Sequence, residues 1–118
     1  MKFSESLKKN SDFQKVYKQG KSYANRYLVL YVLENGTVCN RIGISVSKKV
    51  GNSIVRHRLK RLIKEAYRLQ EDIFYRGLDM VIIARMSAKD ISYKDTKSAL
   101  LHLGGLQNII KSINKEDE

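Results

Sequence analysis

The segment after Gly51-Asn52 limits the possible folds more than any other, because it is apolar along one side and cationic along the other at helical spacing. At 100° per residue, Val55, Leu59, Leu62, Ile63, Ala66 and Leu69 share one arc, while Ser53, His57, Lys60, Arg61, Lys64 and Arg68 share the opposite one. Asn52 is a favoured residue for capping the start of such a helix. One side needs a core and the other needs anions. Strand patterns flank it. Thr37–Ser47 lies before it, and Leu78–Ala84 (LDMVIIA), nearly continuous in apolar residues, follows the connection around Glu71–Gly77. That second pattern fits a buried central strand flanked by helices. If the two strands are parallel neighbours, the helix is a crossover, and crossovers are right-handed in roughly 98% of cases.

The remaining elements are shorter. Ser11 with Gln14 three residues on reads as a capping box, Phe13, Val16 and Tyr17 supply an apolar stripe, and Gly20 a stop, which predicts a helix over Asp12–Gln19. Arg26–Leu33 (RYLVLYVL) has strand composition, and Asn35-Gly36 is a hairpin signal. The expectation is therefore an antiparallel pair between Arg26–Leu33 and Thr37–Ser47. Lys21–Asn25 reads as a short strand or an irregular lead-in. Ser92 and Asp95 open a last helix with Leu100, Leu103, Leu106, Ile110 and Ile113 on its apolar side. Gly104-Gly105 falls inside it at a cost of about 1 kcal/mol per glycine relative to Ala, so a kink, a break or a close contact is open there. No repeat or linker divides the chain, so residues 1–118 read as one domain, with an acidic tail at 115–118 expected to fray.

Charge then narrows the function. The 118 residues include 23 Lys and Arg against 12 Asp and Glu, and eight of the 23 lie between Lys48 and Arg68, opposed there by Glu65 alone. A merely soluble helix face mixes signs, whereas this one repels itself unless an anion binds. Nucleic acid is the expected partner, ahead of a lipid surface. Cys39 stands alone and no Cys/His grouping has metal-finger spacing. The longest apolar run, Tyr27–Leu33, has seven residues against roughly 20 for a bilayer span, and Met1–Asn10 has no apolar stretch of the secretory kind. The expected location is the cytoplasm, with no membrane partner and no obligate protein partner in evidence.

Catalytic chemistry carried by the protein itself lacks a constellation. His57 and His102 are 45 residues apart in no triad, metal or phosphate-cradle motif, and Gly51-Asn52-Ser53 lacks the glycines and Lys-Ser/Thr end of a P-loop. The aromatic residues are more informative. Phe13 and Tyr17 are one helical turn apart, and Tyr27, Val29 and Tyr31 alternate along a strand, so both sets can face a common surface. They serve either as core or as a platform on which unpaired bases stack. With Arg26, Lys48 and Arg85 nearby, such a cleft suits single-stranded RNA.

The run Arg41-Ile42-Gly43-Ile44-Ser45-Val46-Ser47-Lys48-Lys49-Val50-Gly51-Asn52, followed by Arg56-His57-Arg58-Leu59-Lys60-Arg61-Leu62-Ile63-Lys64-Glu65, resembles the signature of the bacterial ribonuclease P protein subunit. Ser11–Tyr17, Ala24-Asn25-Arg26, Leu78–Arg85 and the last helix extend the likeness over nearly the whole chain. The resemblance implies an α/β (α+β) sandwich of the ribosomal protein S5 domain 2-like type. Its sheet is expected to have about four mostly antiparallel strands, with three helices and an unusual left-handed crossover. It implies partnership with a catalytic RNA that carries the active site and Mg²⁺, and cleavage of the 5′ leader from precursor tRNA by the holoenzyme. No catalytic residue, bound metal or cofactor is expected on the protein alone.

The family's basic-helix motif falls on Asn52, Arg56, Arg58, Lys60, Arg61 and Lys64, to which Lys49, His57 and Arg68 add the rest of the expected catalytic-RNA face. Phe13, Tyr17 and Tyr31, with Arg26, Lys48 and Arg85, form the expected leader cleft for precursor tRNA. Two features depart from the pattern: His57 stands where the family core has Asn, and Gly104-Gly105 is unexpected within the last helix. A general RNA-binding protein and a stand-alone nuclease are the competing classes.

Overall fold

The computed structural model describes residues 1–111 as a five-stranded sheet with helices on both faces. In chain order the elements are β1 (Ser4–Ser6), α1 (Asn10–Gln19), β2 (Lys21–Ala24), β3 (Leu28–Glu34), β4 (Asn40–Ser45), α2 (Ser53–Gln70), β5 (Leu78–Ala84) and α3 (Tyr93–Leu106). The expected tail at 115–118, and Ile113 of the expected last-helix stripe, lie outside the described residues.

The strand order is β1-β4-β5-β3-β2. β1 runs parallel to β4 and β4 parallel to β5, while β3 is antiparallel to both β5 and β2. The sheet is thus mixed and five-stranded rather than mostly antiparallel and four-stranded. The expected antiparallel pair between Arg26–Leu33 and Thr37–Ser47 does not form. β5 occupies the slot between them, pairing Leu30 with Ile82 on one side and Ile44 with Ile82 on the other. The reason is burial: β5 is apolar on both faces and can be satisfied only at the sheet's centre.

The Asn35-Gly36 turn does exist, with Gly36 at φ 72°, but it carries the chain across the end of β5. Asn35 N–H donates to Gly77 O at 2.8 Å, and the turn residues Thr37–Cys39 stay outside the strand. Lys21–Ala24, left open by its sequence, is an edge strand exposed along its length.

Side-chain alternation divides the sheet into two faces. Leu28, Leu30, Val32, Ile42, Met80 and Ile82 pack with Leu59, Ile63, Ala66, Leu100 and Leu103 of α2 and α3. On the opposite face Val81 is buried with Leu7 and Val16, and Phe13, Tyr17, Tyr31 and Ile83 surround them. Tyr27 does not share the face of Tyr31. It precedes β3 and packs against the α2/α3 core.

The apolar arc of α2 is shifted toward Tyr67, which is buried, and away from Leu69, which is 53% exposed. The shift follows from β1. Tyr67 Oη lies 2.6 Å from Ser4 Oγ and accepts Asn40 Nδ2 at 3.1 Å, while the buried Glu71 carboxylate accepts the amides of Lys2 at 2.7 Å and Phe3 at 3.0 Å. A strand with the sequence Ser-Glu-Ser has no hydrophobic pattern of its own and is held by these polar contacts.

Caps follow local chemistry in two helices of three. Asn52 Oδ1 accepts Val55 N–H at 3.0 Å and Ser92 Oγ accepts Asp95 N–H at 3.1 Å. The capping box at Ser11 is absent because α1 starts earlier, with Lys9 at the cap and no side-chain bond. α3 runs through Gly104-Gly105 and ends at Leu106, which is exposed; the chain turns at Asn108 (φ 59°) and brings Ile110 back. Gly104 is the close-contact case: a Cβ there would sit 2.9 Å from Ile110 Cγ2.

Candidate nucleic-acid interface

The outward side of α2 presents His57, Lys60, Arg61, Lys64 and Arg68, all exposed, and Lys48 and Lys49 stand exposed in the turn before it. The face is not uniform. Arg68 forms a two-pronged pair with Glu65 at 2.9 and 2.7 Å. That bond raises the Arg68 pKa and lowers that of Glu65, and it partly neutralises this end.

Arg56 and Arg58 are half-buried rather than exposed. Arg58 Nη2 donates to Ile91 O at 2.7 Å, just ahead of α3, while Arg58 Nη1 and Arg56 Nε are buried without a partner among the described residues. On α2 itself the freely presented cations among the described residues are therefore Lys60, Arg61 and Lys64, and Lys48 and Lys49 add to them from the preceding turn. Asn52, expected on the RNA face, is exposed but spends its side-chain oxygen on the cap.

On the other side of the sheet α1 lies over β3 and β5. Phe13 and Tyr17 have ring centroids 6.4 Å apart, and Tyr17 meets Tyr31 edge-on at 5.1 Å. Gly43 makes the approach possible: a Cβ there would fall 2.6 Å from Phe13 Cζ. All three rings are half-buried, so they act as core on one side and as an open floor on the other. A hollow of about 330 Å³ opens there between Phe13, Tyr17 and Ser45, with Lys8 and Lys60 on its walls. A second hollow of about 270 Å³, with Leu7, Phe13 and Ile44 in its lining, is rimmed by His57, Lys60, Arg61 and Lys64. Phe13 and Lys60 line both and join the aromatic face to the basic helix.

The position of α1 depends on a buried ion pair that sequence reading did not single out. Asp79 accepts Arg41 Nε at 2.8 Å, Arg41 Nη2 at 2.6 Å and Asn35 Nδ2 at 2.9 Å, and Arg41 Nη1 reaches Asp12 of α1 at 3.3 Å. Burial opposes ionisation of Asp79, but the bonds from Arg41 and Asn35 and the charge of Arg41 outweigh it and hold the carboxyl below its usual range. The one available signal was an acidic residue inside an otherwise apolar strand.

Arg26, Lys48 and Arg85 sit at one end of the sheet, at the start of β3 and the ends of β4 and β5. Tyr31 is level with Val81, so Arg85 lies ~13 Å further along at about 3.3 Å per residue. The expected cleft residues thus form an aromatic floor with a separate cationic end. Lys8 and Lys60, not expected there, supply the nearer charge. Glu71 is turned inward and Glu65 is paired with Arg68, and among the described residues no three His, Cys, Asp or Glu side chains are grouped to hold a metal. Among them too, no helix is long and apolar enough to cross a membrane.

A mixed sheet with a cationic helix on one face and an open aromatic floor on the other defines a small, basic RNA-binding protein of the α+β class. The family model described as Ribonuclease P matches residues 1–105, and the chain belongs to that family, as a ribonuclease P protein component. It is 58% identical over 109 residues to the ribonuclease P protein component of Lachnoclostridium phytofermentans, covering 92% of this chain and 94% of that one. Among solved structures it is similar to a Staphylococcus aureus RNase P protein mutant described as defective in mRNA degradation activity. The TM-score is 0.83 at 38% identity, with 89% of each chain covered. The Thermotoga maritima RNase P protein gives a TM-score of 0.78 at 31% identity, covering 83% and 93%.

Proposed function

We propose that α2 docks on the catalytic RNA of ribonuclease P while the face between α1 and the sheet holds the single-stranded 5′ leader of precursor tRNA. The holoenzyme is the endoribonuclease that matures tRNA 5′ ends, and its chemistry lies with the RNA. The supporting observation is the pairing of two unlike surfaces through shared residues. A row of unpaired cations on α2 suits duplex phosphates, and rings on the opposite face suit unstacked bases. In this reading Lys60, Arg61 and Lys64 release counterions on binding and screen phosphate repulsion between two RNAs, which lowers the Mg²⁺ the assembly needs. In this reading the Mg²⁺ belongs to the RNA, and the commitment of the protein's buried carboxylates, Asp79 and Glu71, to Arg41, Asn35 and backbone amides supports it.

The test is cleavage of precursor tRNA by a bacterial ribonuclease P RNA at low Mg²⁺, with and without the protein, on substrates with long and absent leaders. Stimulation that grows with leader length is expected. Equal stimulation of both substrates would remove the leader cleft and leave general RNA binding. A second reading, action on mRNA, is favoured by the mRNA degradation activity in which the Staphylococcus aureus mutant is defective. Turnover of an mRNA by the protein freed of RNA would support it.

A further inference from the structure

The turn between β2 and β3 is hydrogen-bonded at nearly every backbone polar atom, and several of the bonds converge on one side chain. Asn25 Oδ1 accepts the amides of Tyr27 at 3.1 Å and Leu28 at 3.0 Å, and Asn25 N–H donates to Leu28 O at 3.0 Å. Asn25 Nδ2 donates to Ala99 O of α3 at 2.9 Å and lies 3.2 Å from His102 Nδ1. Three successive carbonyls of the turn are then taken by the chain that leaves β5. Asn25 O accepts Arg85 Nη1 at 2.6 Å, Arg26 O accepts the Ser87 hydroxyl, and Tyr27 O accepts Arg85 N–H at 2.9 Å. The two segments that carry Arg26 and Arg85 are thereby locked to each other and to α3.

An exposed arginine is costly to immobilise, since its side chain loses up to ~2 kcal/mol of rotamer freedom when it settles on a phosphate. Arg85 has part of that freedom removed in advance. One guanidinium N–H is fixed on Asn25 O, which leaves the rest of the fork exposed. The Asn25 side chain sets the carbonyl that receives this bond through the amides of Tyr27 and Leu28. We infer that Asn25 is a positioning residue, which presents Arg85 to a phosphate of a single-stranded RNA and makes α3 the anchor of that end of the cleft. The inference rests on the leader reading given above.

The experiment uses the full chain assembled with the catalytic RNA and reads the affinity ratio between precursor tRNA with a long leader and leaderless tRNA. Arg85→Ala is expected to lower the ratio about fivefold, the scale of one exposed charge-assisted contact. Asn25→Ala should lower it by a similar factor, and the double variant by no more than either alone, because both remove one interaction. Asn25→Ser, whose hydroxyl can accept the same turn amides, should recover most of the loss. Unfolding midpoints are recorded beside each ratio. If Asn25→Ala does not fold, Asn25→Gln replaces it: the longer arm keeps the amide but displaces the acceptor. An unchanged ratio in Arg85→Ala would overturn the leader reading at this end whatever Asn25 does. A lowered ratio in Arg85→Ala with none in Asn25→Ala, or losses that multiply in the double variant, overturns the positioning role alone.

Discussion

Gly43 and Asp79 decide where α1 rests, and neither touches the solvent-facing side of the cleft. A methyl group at Gly43 meets the Phe13 ring at 2.6 to 2.7 Å, so Gly43→Ala must push that ring off the sheet. The expected result is a several-fold loss of long-leader affinity with less than about 1.5 kcal/mol of destabilisation, since the ring can move outward. Calorimetry alongside leader binding checks this, and a large stability loss with intact leader affinity would contradict it.

Asp79→Asn breaks the charged two-pronged bond and leaves Asp12, at 3.3 Å, as the remaining charged partner of the half-buried Arg41 among the described residues, and should cost about 2 kcal/mol near neutral pH. The sign of its pH dependence follows from the depressed carboxyl. Asp79 contributes stability above the unfolded value near 3.9 and loses it as pH falls through the lower folded value. Urea unfolding between about pH 2 and 7 should therefore show a shallower acid limb in the variant than in the native chain.

At the scale of elements, α2 separates cations that look alike in sequence. Arg61→Glu with Lys64→Glu should weaken catalytic-RNA binding and flatten the slope of log affinity against log salt. Arg58→Met should instead lower the unfolding midpoint through loss of the bond to Ile91 O, with a smaller change in slope. Titration of RNA binding at several salt concentrations distinguishes them, and equal slopes in the two variants would refute the division. What could be read in the sequence at this scale was local. The Asn52 and Ser92 caps and the two-sided character of α2 depend on residues within four positions of one another. Pairing partners were not local. The Asn35-Gly36 signal was correct as a turn and misleading as a hairpin, because the strand that fills the gap begins at Leu78. β1 was invisible because its stability comes from Glu71 and Tyr67, more than 60 residues away. The same distance explains why Tyr67 rather than Leu69 completes the buried arc.

For the whole molecule, two faces of one sheet give two separable losses. Tyr17→Ala, with folding verified, should reduce long-leader discrimination, and Arg61→Ala should reduce catalytic-RNA affinity. In combination the free-energy changes should add, because Tyr17 and Arg61 line different hollows. Coupling well beyond 0.5 kcal/mol in a double-mutant cycle would mean that one continuous RNA path crosses both. The candidate site was legible as residue types and spacing. Its junction at Phe13 and Lys60 was not, because it arises where α1 and α2 come close around the open end of β4.

The central place of β5 also dictates an order of assembly. Until Leu78–Ala84 is made, β3 and β4 each lack their inner neighbour, and no local hairpin can bridge them. A chain emerging from the ribosome therefore displays its basic helix before it owns a sheet to pack it on. Long-range closure of this kind is slow, and apolar strand edges stay exposed while it waits. The last strand to join the sheet's centre acts as the keystone, so truncations ending before Ala84 should yield an aggregation-prone collapsed chain rather than a smaller version of the fold.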